Sequence, residues 1–239
     1  TNPQNGSRYW SDKMIDYFSD AFAKNRSEEA SEDNWSDFVV PRCINSLGIK
    51  TQTKALVIVG GRGCGKTTLL RYFCHPTQFS SRRPSIGEDD IRHIGLYWRA
   101  DTNFLNSFAG GEQSSSTWRA AFEHVLACEL GKEIIRSLGS LNCNFSRKEK
   151  FGGLDQIDLS ELQDFDDQMG SSLVSVESAL QRSRIRLATW INNQDTNQHP
   201  IFLPAKLFLE TLIGALKGQI KYLRDSNFAV FIDEYENLR

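Results

Sequence analysis

The sequence predicts an α/β fold in which helices flank a parallel sheet. Three observations carry this expectation. Residues 55–60 (ALVIVG) and 228–232 (FAVFI) are short apolar runs of the kind that form strands buried on both faces. Residues 91–99 (IRHIGLYWR) read as a further strand, and the long segments between the runs carry apolar residues at helical spacing. The resulting order of strand, helix, strand, helices and strand is that of a layered α/β domain.

Composition sets the outer limits. The chain has 239 residues, 39% of them hydrophobic, which suffices for one large domain or one domain with a big insertion. Its 28 Lys plus Arg against 30 Asp plus Glu leave a net charge of −2. That balance excludes a surface built throughout to hold nucleic acid, although a local patch stays compatible with it. The apolar run 55–59 is far short of the roughly 20 residues of a spanning helix, so no membrane segment is expected. Cysteines at 43, 64, 74, 128 and 143 show no CxxC and no regular spacing. They read as reduced thiols of a cytoplasmic protein, with neither a disulfide frame nor a zinc site. No secretory leader opens the chain, and its start at Thr1 without methionine points to processing or to a fragment.

The elements follow in order, with no internal repeat. Trp10, Met14, Tyr17, Phe18 and Phe22 predict an amphipathic helix over 10–24, and an acidic linker follows over 27–33. Segment 37–47 (DFVVPRCINSL) is expected to pack against what comes next. The strand at 55–60 runs into GGRGCGK, and TTLLRYF after it reads as helix. Residues 75–90, rich in Ser, Pro and Arg, predict a surface loop. A long helix is expected over 114–138, where Trp118, Phe122, Leu126, Leu130, Ile134 and Leu138 recur at every fourth position. A polar loop at 142–153 separates it from a helix over 172–192, with Leu173, Val176, Leu180, Leu187 and Ile191 on its inner face. A last helix over 205–224 leads to the strand at 228–232.

Gly60, Gly61, Arg62, Gly63, Cys64, Gly65, Lys66 and Thr67 match G-x-x-x-x-G-K-[ST] at every fixed position, between a predicted strand and a predicted helix. Glycines let the backbone curl so that its N–H groups converge on phosphate oxygens, and the following helix aims its positive end at the same anion. Lys66 supplies charge near the β and γ phosphates, and the Thr67 hydroxyl is an expected Mg²⁺ ligand. Thr68 completes the set expected at the nucleotide. At the other end of the chain, the strand FAVFI closes on Asp233 and Glu234, at the sheet edge where α/β folds bind ligands. Asp233 is expected to hold Mg²⁺, directly or through water, and Glu234 to act as general base on the attacking water.

The loop and the FAVFI-Asp233-Glu234 segment resemble the Walker A and Walker B motifs of P-loop NTPases with a catalytic glutamate. Within these the chain resembles ATPases of the AAA+ and STAND type. Residues 231–238 (FIDEYENL) resemble the acidic strand end of bacterial origin-recognition-complex-like AAA ATPases, some of which occur in anti-phage systems, and 94–108 resembles their second strand. The resemblance covers about 55–108 and 205–239. It implies a three-layer P-loop sandwich, ATP and Mg²⁺ as cofactors, and a homo-oligomer or larger protein assembly away from any membrane. Residues 68–227 separate the two motifs, which leaves room for a helical insertion of roughly a hundred residues beyond the usual connection. The expected division is an N-terminal helical segment (1–50), the first part of the core (51–110), a helical insertion (111–204) and a return to the core (205–239). The family adds a sensor residue, an arginine finger and a helical lid after the acidic strand, so the sequence is expected to be the front part of a longer protein.

Weaker signals have plainer readings beside them. Residues 107–113 (SFAGGEQ) resemble an ABC transporter signature but lie far upstream of the acidic strand, and a turn before the 114 helix accounts for them. No NKxD element supports guanine, so adenine is expected. Arg99 and Asp101 either orient Glu234 or end a strand in solvent. Arg62 is a candidate for phosphate or a neighbouring subunit. Phe38, Val39 and Pro41 are candidates for an adenine wall, against simple core packing. Arg182, Arg184 and Arg186 form a basic cluster, and Glu161, Asp164, Asp166 and Asp167 an acidic one, which solvated faces explain equally. Four scattered histidines carry no metal role. Cys64 meets the loop's need for a small residue and is oxidisable. The expected function is an ATPase that drives assembly or remodelling of a larger complex. The alternatives are a nucleotide-dependent scaffold with little turnover and a nucleic-acid-processing motor.

Overall fold

The computed structural model describes residues 32–36, 38–42, 44–51, 54–102, 106, 113–144, 153–193 and 200–238. The expected helix over 10–24 and nearly all of 107–113 lie outside these residues. The described strands, β1 (His93–Arg99) and β2 (Asn227–Asp233), pair in parallel, with Tyr97 opposite Phe231 and Arg99 opposite Asp233. This is an α/β arrangement with a parallel sheet. Parallel pairing requires a crossover, and here the long helices supply it. They are α4 (Ser115–Asn144), α5 (Leu173–Asn193) and α6 (Ala205–Gln219). Among the described residues, three short α-helices precede β1: α1 (Lys66–Tyr72), α2 (His75–Gln78) and α3 (Glu88–Ile91).

The two faces of β1 meet different neighbours because side chains alternate along a strand. Ile94 and Leu96 join Ile134 and Leu138 of α4, Val176 and Leu180 of α5, and Phe208 and Leu212 of α6 in one buried cluster. Trp98 packs with Leu130 and Phe122 on the same side. The opposite face meets the chain leaving α1. Phe73 stacks on Phe231, and a Cβ added at Gly95 would lie 2.1 Å from the Phe73 carbonyl oxygen. Only glycine permits that approach, so Gly95→Ala is expected to destabilise the fold by about 3 kcal/mol, measured by urea unfolding.

Several expectations are corrected. The largest concerns residues 55–60, which form no strand. Leu56, Val57 and Val59 stand 48%, 59% and 85% exposed. A strand buried on both faces needs hydrogen-bonding neighbours at its edges. Between 55–60 and β2 lies instead an open groove of about 1560 Å³, and no described segment fills it. The expected loop at 75–90 contains α2 and α3, the first started by Pro76 in its opening turn and the second carrying Glu88, Asp89 and Asp90 at its N-terminus. Helix α4 runs on to Asn144, into the expected polar loop. The last helix stops at Gln219, where Ile220 turns to extended backbone and a 3-10 turn, Lys221–Leu223, follows. Asp33, assigned to a linker, is anchored by the Ser80 hydroxyl at 2.5 Å.

His124 of α4 illustrates how the helical part is locked. Its Nδ1 accepts the Leu203 N–H at 3.0 Å, while Nε2 faces the Ser183 hydroxyl at 3.3 Å. Burial depresses its pKa from 6.5 to about 4, outweighing the contact with Ser183 and the charge of Asp166, which raise it. The folded state therefore binds fewer protons than the unfolded state between those values, and stability falls as pH drops through that window. A loss of about 2 kcal/mol between pH 7 and pH 5 is expected from this residue. Denaturant melts should show a flatter pH dependence for His124→Gln.

Candidate functional site

The glycine-rich loop leaves the groove and enters α1 directly. Gly63 and Gly65 have φ of 78° and 85°, left-handed backbone that side chains disfavour, and the helix begins at the next residue, Lys66. Residues 60–65 are all exposed. The Lys66 ammonium donates to the carbonyls of Gly60 at 2.7 Å and Gly61 at 3.0 Å, so its charge lies over the mouth of the loop. Arg62 and Cys64 are exposed on the same loop. Thr68 points its carbonyl at Asn34, whose side-chain amide donates to it at 3.0 Å and ties the N-terminal segment to α1.

Folding brings the acidic strand end to this loop across the face of β2 that α1 covers. The Thr67 hydroxyl donates to Asp233 Oδ2 at 2.7 Å, joining positions 166 apart in sequence. The Tyr97 hydroxyl donates to the same oxygen at 2.8 Å, and Oδ1 accepts the Glu234 backbone N–H at 3.0 Å. Asp233 is buried, within the last position of β2. Burial first, then the Asp233 charge and the hydrogen bond to it, push the Tyr97 phenol well above its ordinary range, so it remains a donor.

Glu234 adopts a φ of 55°, unusual for a residue with a side chain. Its carboxylate is held by Arg99 at 3.0 Å and by the Asn237 amide at 3.3 Å. Asn237 also donates to the Ala100 carbonyl at 2.9 Å, which clamps the turn after β2 to the end of β1. Arg99 thus faces Glu234, one of its two expected alternatives. Asp101 is exposed just beyond the end of β1. Tyr97 and Asn237 escaped sequence reasoning. Tyr97 shares strand parity with Arg99, which was a usable signal, whereas Asn237 depends on a turn geometry no pattern announces.

The remaining candidates fall into place around this centre. The Phe38 ring lies 4.4 Å from the Tyr72 ring, Val39 is 87% exposed, and Pro41 borders a hollow of about 450 Å³ with Ile49 and Tyr72. The basic cluster is partly internal: Arg184 pairs with Glu129 at 3.4 Å and Arg186 with Asp166 at 2.9 Å. Glu161, Asp164 and Asp167 are exposed, while Asp166 is buried by that pair. Cys74 and Cys128 are free and buried, and burial raises both thiols, Cys128 to about 12. Cys64 is free and exposed.

A profile of the ORC-CDC6-like family matches residues 20–239. The chain belongs to the ORC-CDC6-like family. Members are AAA+ P-loop ATPases, and they commonly oligomerise. No curated protein and no solved structure matches the chain significantly. No helix among the described residues is long and apolar enough to cross a membrane.

An ORC-CDC6-like chain implies nucleotide and Mg²⁺, and the donor set can be tested against the ion. Thr67 and Asp233 offer hard oxygen donors already within 2.7 Å of each other. Among the described residues no group of three or more His, Cys, Asp or Glu could hold a metal alone. That fits Mg²⁺, which is ordinarily held by one or two protein oxygens together with substrate phosphates.

Proposed function

We propose that this chain binds ATP at residues 60–68 and hydrolyses it, coupling the cycle to assembly or remodelling of a larger complex. The observation that carries the reading is the Thr67–Asp233 hydrogen bond at 2.7 Å, which unites the loop with the acidic strand end. In this reading the loop amides and Lys66 hold the phosphates, and Thr67 and Asp233 would hold Mg²⁺. The ion supplies charge neutralisation at the transferred phosphoryl group. Glu234 takes a proton from the attacking water. The hollow beside Pro41 and Tyr72 accommodates the adenine, and Arg62 is exposed toward phosphate or a neighbouring subunit. The core is assigned to 51–110 and 205–239, with 1–50 an N-terminal helical segment and 111–204 a helical insertion. Free thiols suit a cytoplasmic setting, and the likeness of FIDEYENL to anti-phage ATPases suggests defence as one context.

A second reading, a nucleotide-dependent scaffold with little turnover, is favoured by a specific contact. Both carboxylate oxygens of Glu234 already accept, one from Arg99 at 3.0 Å and the other from Asn237 at 3.3 Å, so meeting an attacking water requires one of these bonds to give way. A nucleic-acid motor has less support, since Arg184 and Arg186 are engaged within the chain. Sedimentation velocity without nucleotide, with ADP and with ATP, run beside steady-state phosphate release, separates the readings. Assembly on ATP with steady turnover supports the ATPase. Assembly without turnover supports the scaffold, and no response to nucleotide in either measurement would refute both.

A further inference from the structure

We propose that Tyr97 is a positioning residue for the Asp233 carboxylate and thereby sets how tightly the site takes a divalent cation with nucleotide. This rests on the nucleotide reading above. Tyr97 lies on β1 opposite Phe231, on the face shared by Arg99 and Asp233, and its hydroxyl reaches two register positions along to Asp233 Oδ2 at 2.8 Å. That oxygen already accepts the Thr67 hydroxyl at 2.7 Å. The two donors differ in their tasks. Thr67 is itself an expected cation ligand, so its hydroxyl would serve both the ion and the carboxylate. The Tyr97 hydroxyl serves Asp233 from the strand side, where the sheet holds its backbone. The Arg71 guanidinium, 5.2 Å from the ring centroid, fixes the phenol from α1. Asp233 is therefore oriented by a rigid strand partner that is itself braced by the helix carrying Thr67.

Groups that orient a metal-ligating carboxylate typically affect metal affinity by about 10- to 100-fold when removed. Tyr97→Phe keeps the ring and deletes only the donor. The test uses the whole chain and a fluorescent ATP analogue, titrated in EDTA and then at stepped Mg²⁺ concentrations. The variant is expected to bind the analogue as wild type does in EDTA. The Mg²⁺ concentration giving half of the affinity gain should rise by about tenfold. Both affinities are read on the same folded sample, so a loss of stability cancels in their ratio. A tyrosine that only fills space would leave the Mg²⁺ midpoint unchanged, or would weaken binding equally with and without the ion, and either result overturns the proposal. Wild type that binds no analogue would instead overturn the nucleotide reading, and this inference with it.

Discussion

Glu234→Gln is expected to lower ATP turnover by about two to four orders of magnitude while nucleotide binding persists. Glutamine fills the same space but cannot take a proton from water. The rest of the site does not depend on that charge. Asp233 keeps its bonds to Thr67 and Tyr97, and the Lys66 ammonium lies on the opposite, loop side. Arg99 and Asn237 donate to different oxygens of Glu234, so the single amide oxygen of glutamine keeps the shorter bond from Arg99 and gives up the longer one from Asn237, whose bond to the Ala100 carbonyl still clamps the turn. The Arg99–Glu234 pair is about one-third exposed at both partners, so losing its charge costs at most about 1 kcal/mol of stability. Phosphate release and equilibrium binding, measured on the same preparation, check the split. Undiminished turnover would mean that another group activates the water.

Lys66→Ala is expected to weaken ATP binding by about two orders of magnitude, or roughly 2.7 kcal/mol. The ammonium is the one cation whose hydrogen bonds, to the carbonyls of Gly60 and Gly61, place it over the loop among the described contacts. Triphosphate oxygens are stronger acceptors than those carbonyls, and the charge that meets them has no substitute in alanine. The fold should not notice the change, because the side chain contributes to no buried cluster. Melting curves that overlay those of wild type, beside lost binding of the fluorescent analogue, would locate the effect at the site. Equal affinity in the two proteins would remove Lys66 from it.

Much of the site could be read in the sequence because its parts are local. The loop needs glycines at Gly63 and Gly65 for left-handed backbone, and such needs leave a fixed pattern over eight positions. The acidic strand end is equally local, since FAVFI announces its strand and the carboxylates follow at once. The helices α4, α5 and α6 were legible through their apolar period, which burial against one core imposes. What escaped depends on partners far away in sequence. Residues 55–60 have strand composition, yet pairing is a property of two segments, and an open groove lies between them and β2. Tyr97 looked like one more aromatic of a buried strand until register set it beside Asp233. The arginines at 184 and 186 looked like a surface patch because their acidic partners, Glu129 and Asp166, come from separate elements.

The central claim is that the loop at 60–68 is a nucleotide site completed by Asp233. The most direct measurement is equilibrium binding of ATP with Mg²⁺ to wild type and to Lys66→Ala, by isothermal titration calorimetry on folded protein. The account predicts saturable binding at one site per chain, competed by ADP, and weakened by about two orders of magnitude in the variant. Absence of saturable binding to wild type, or equal affinity in the two proteins, would contradict it.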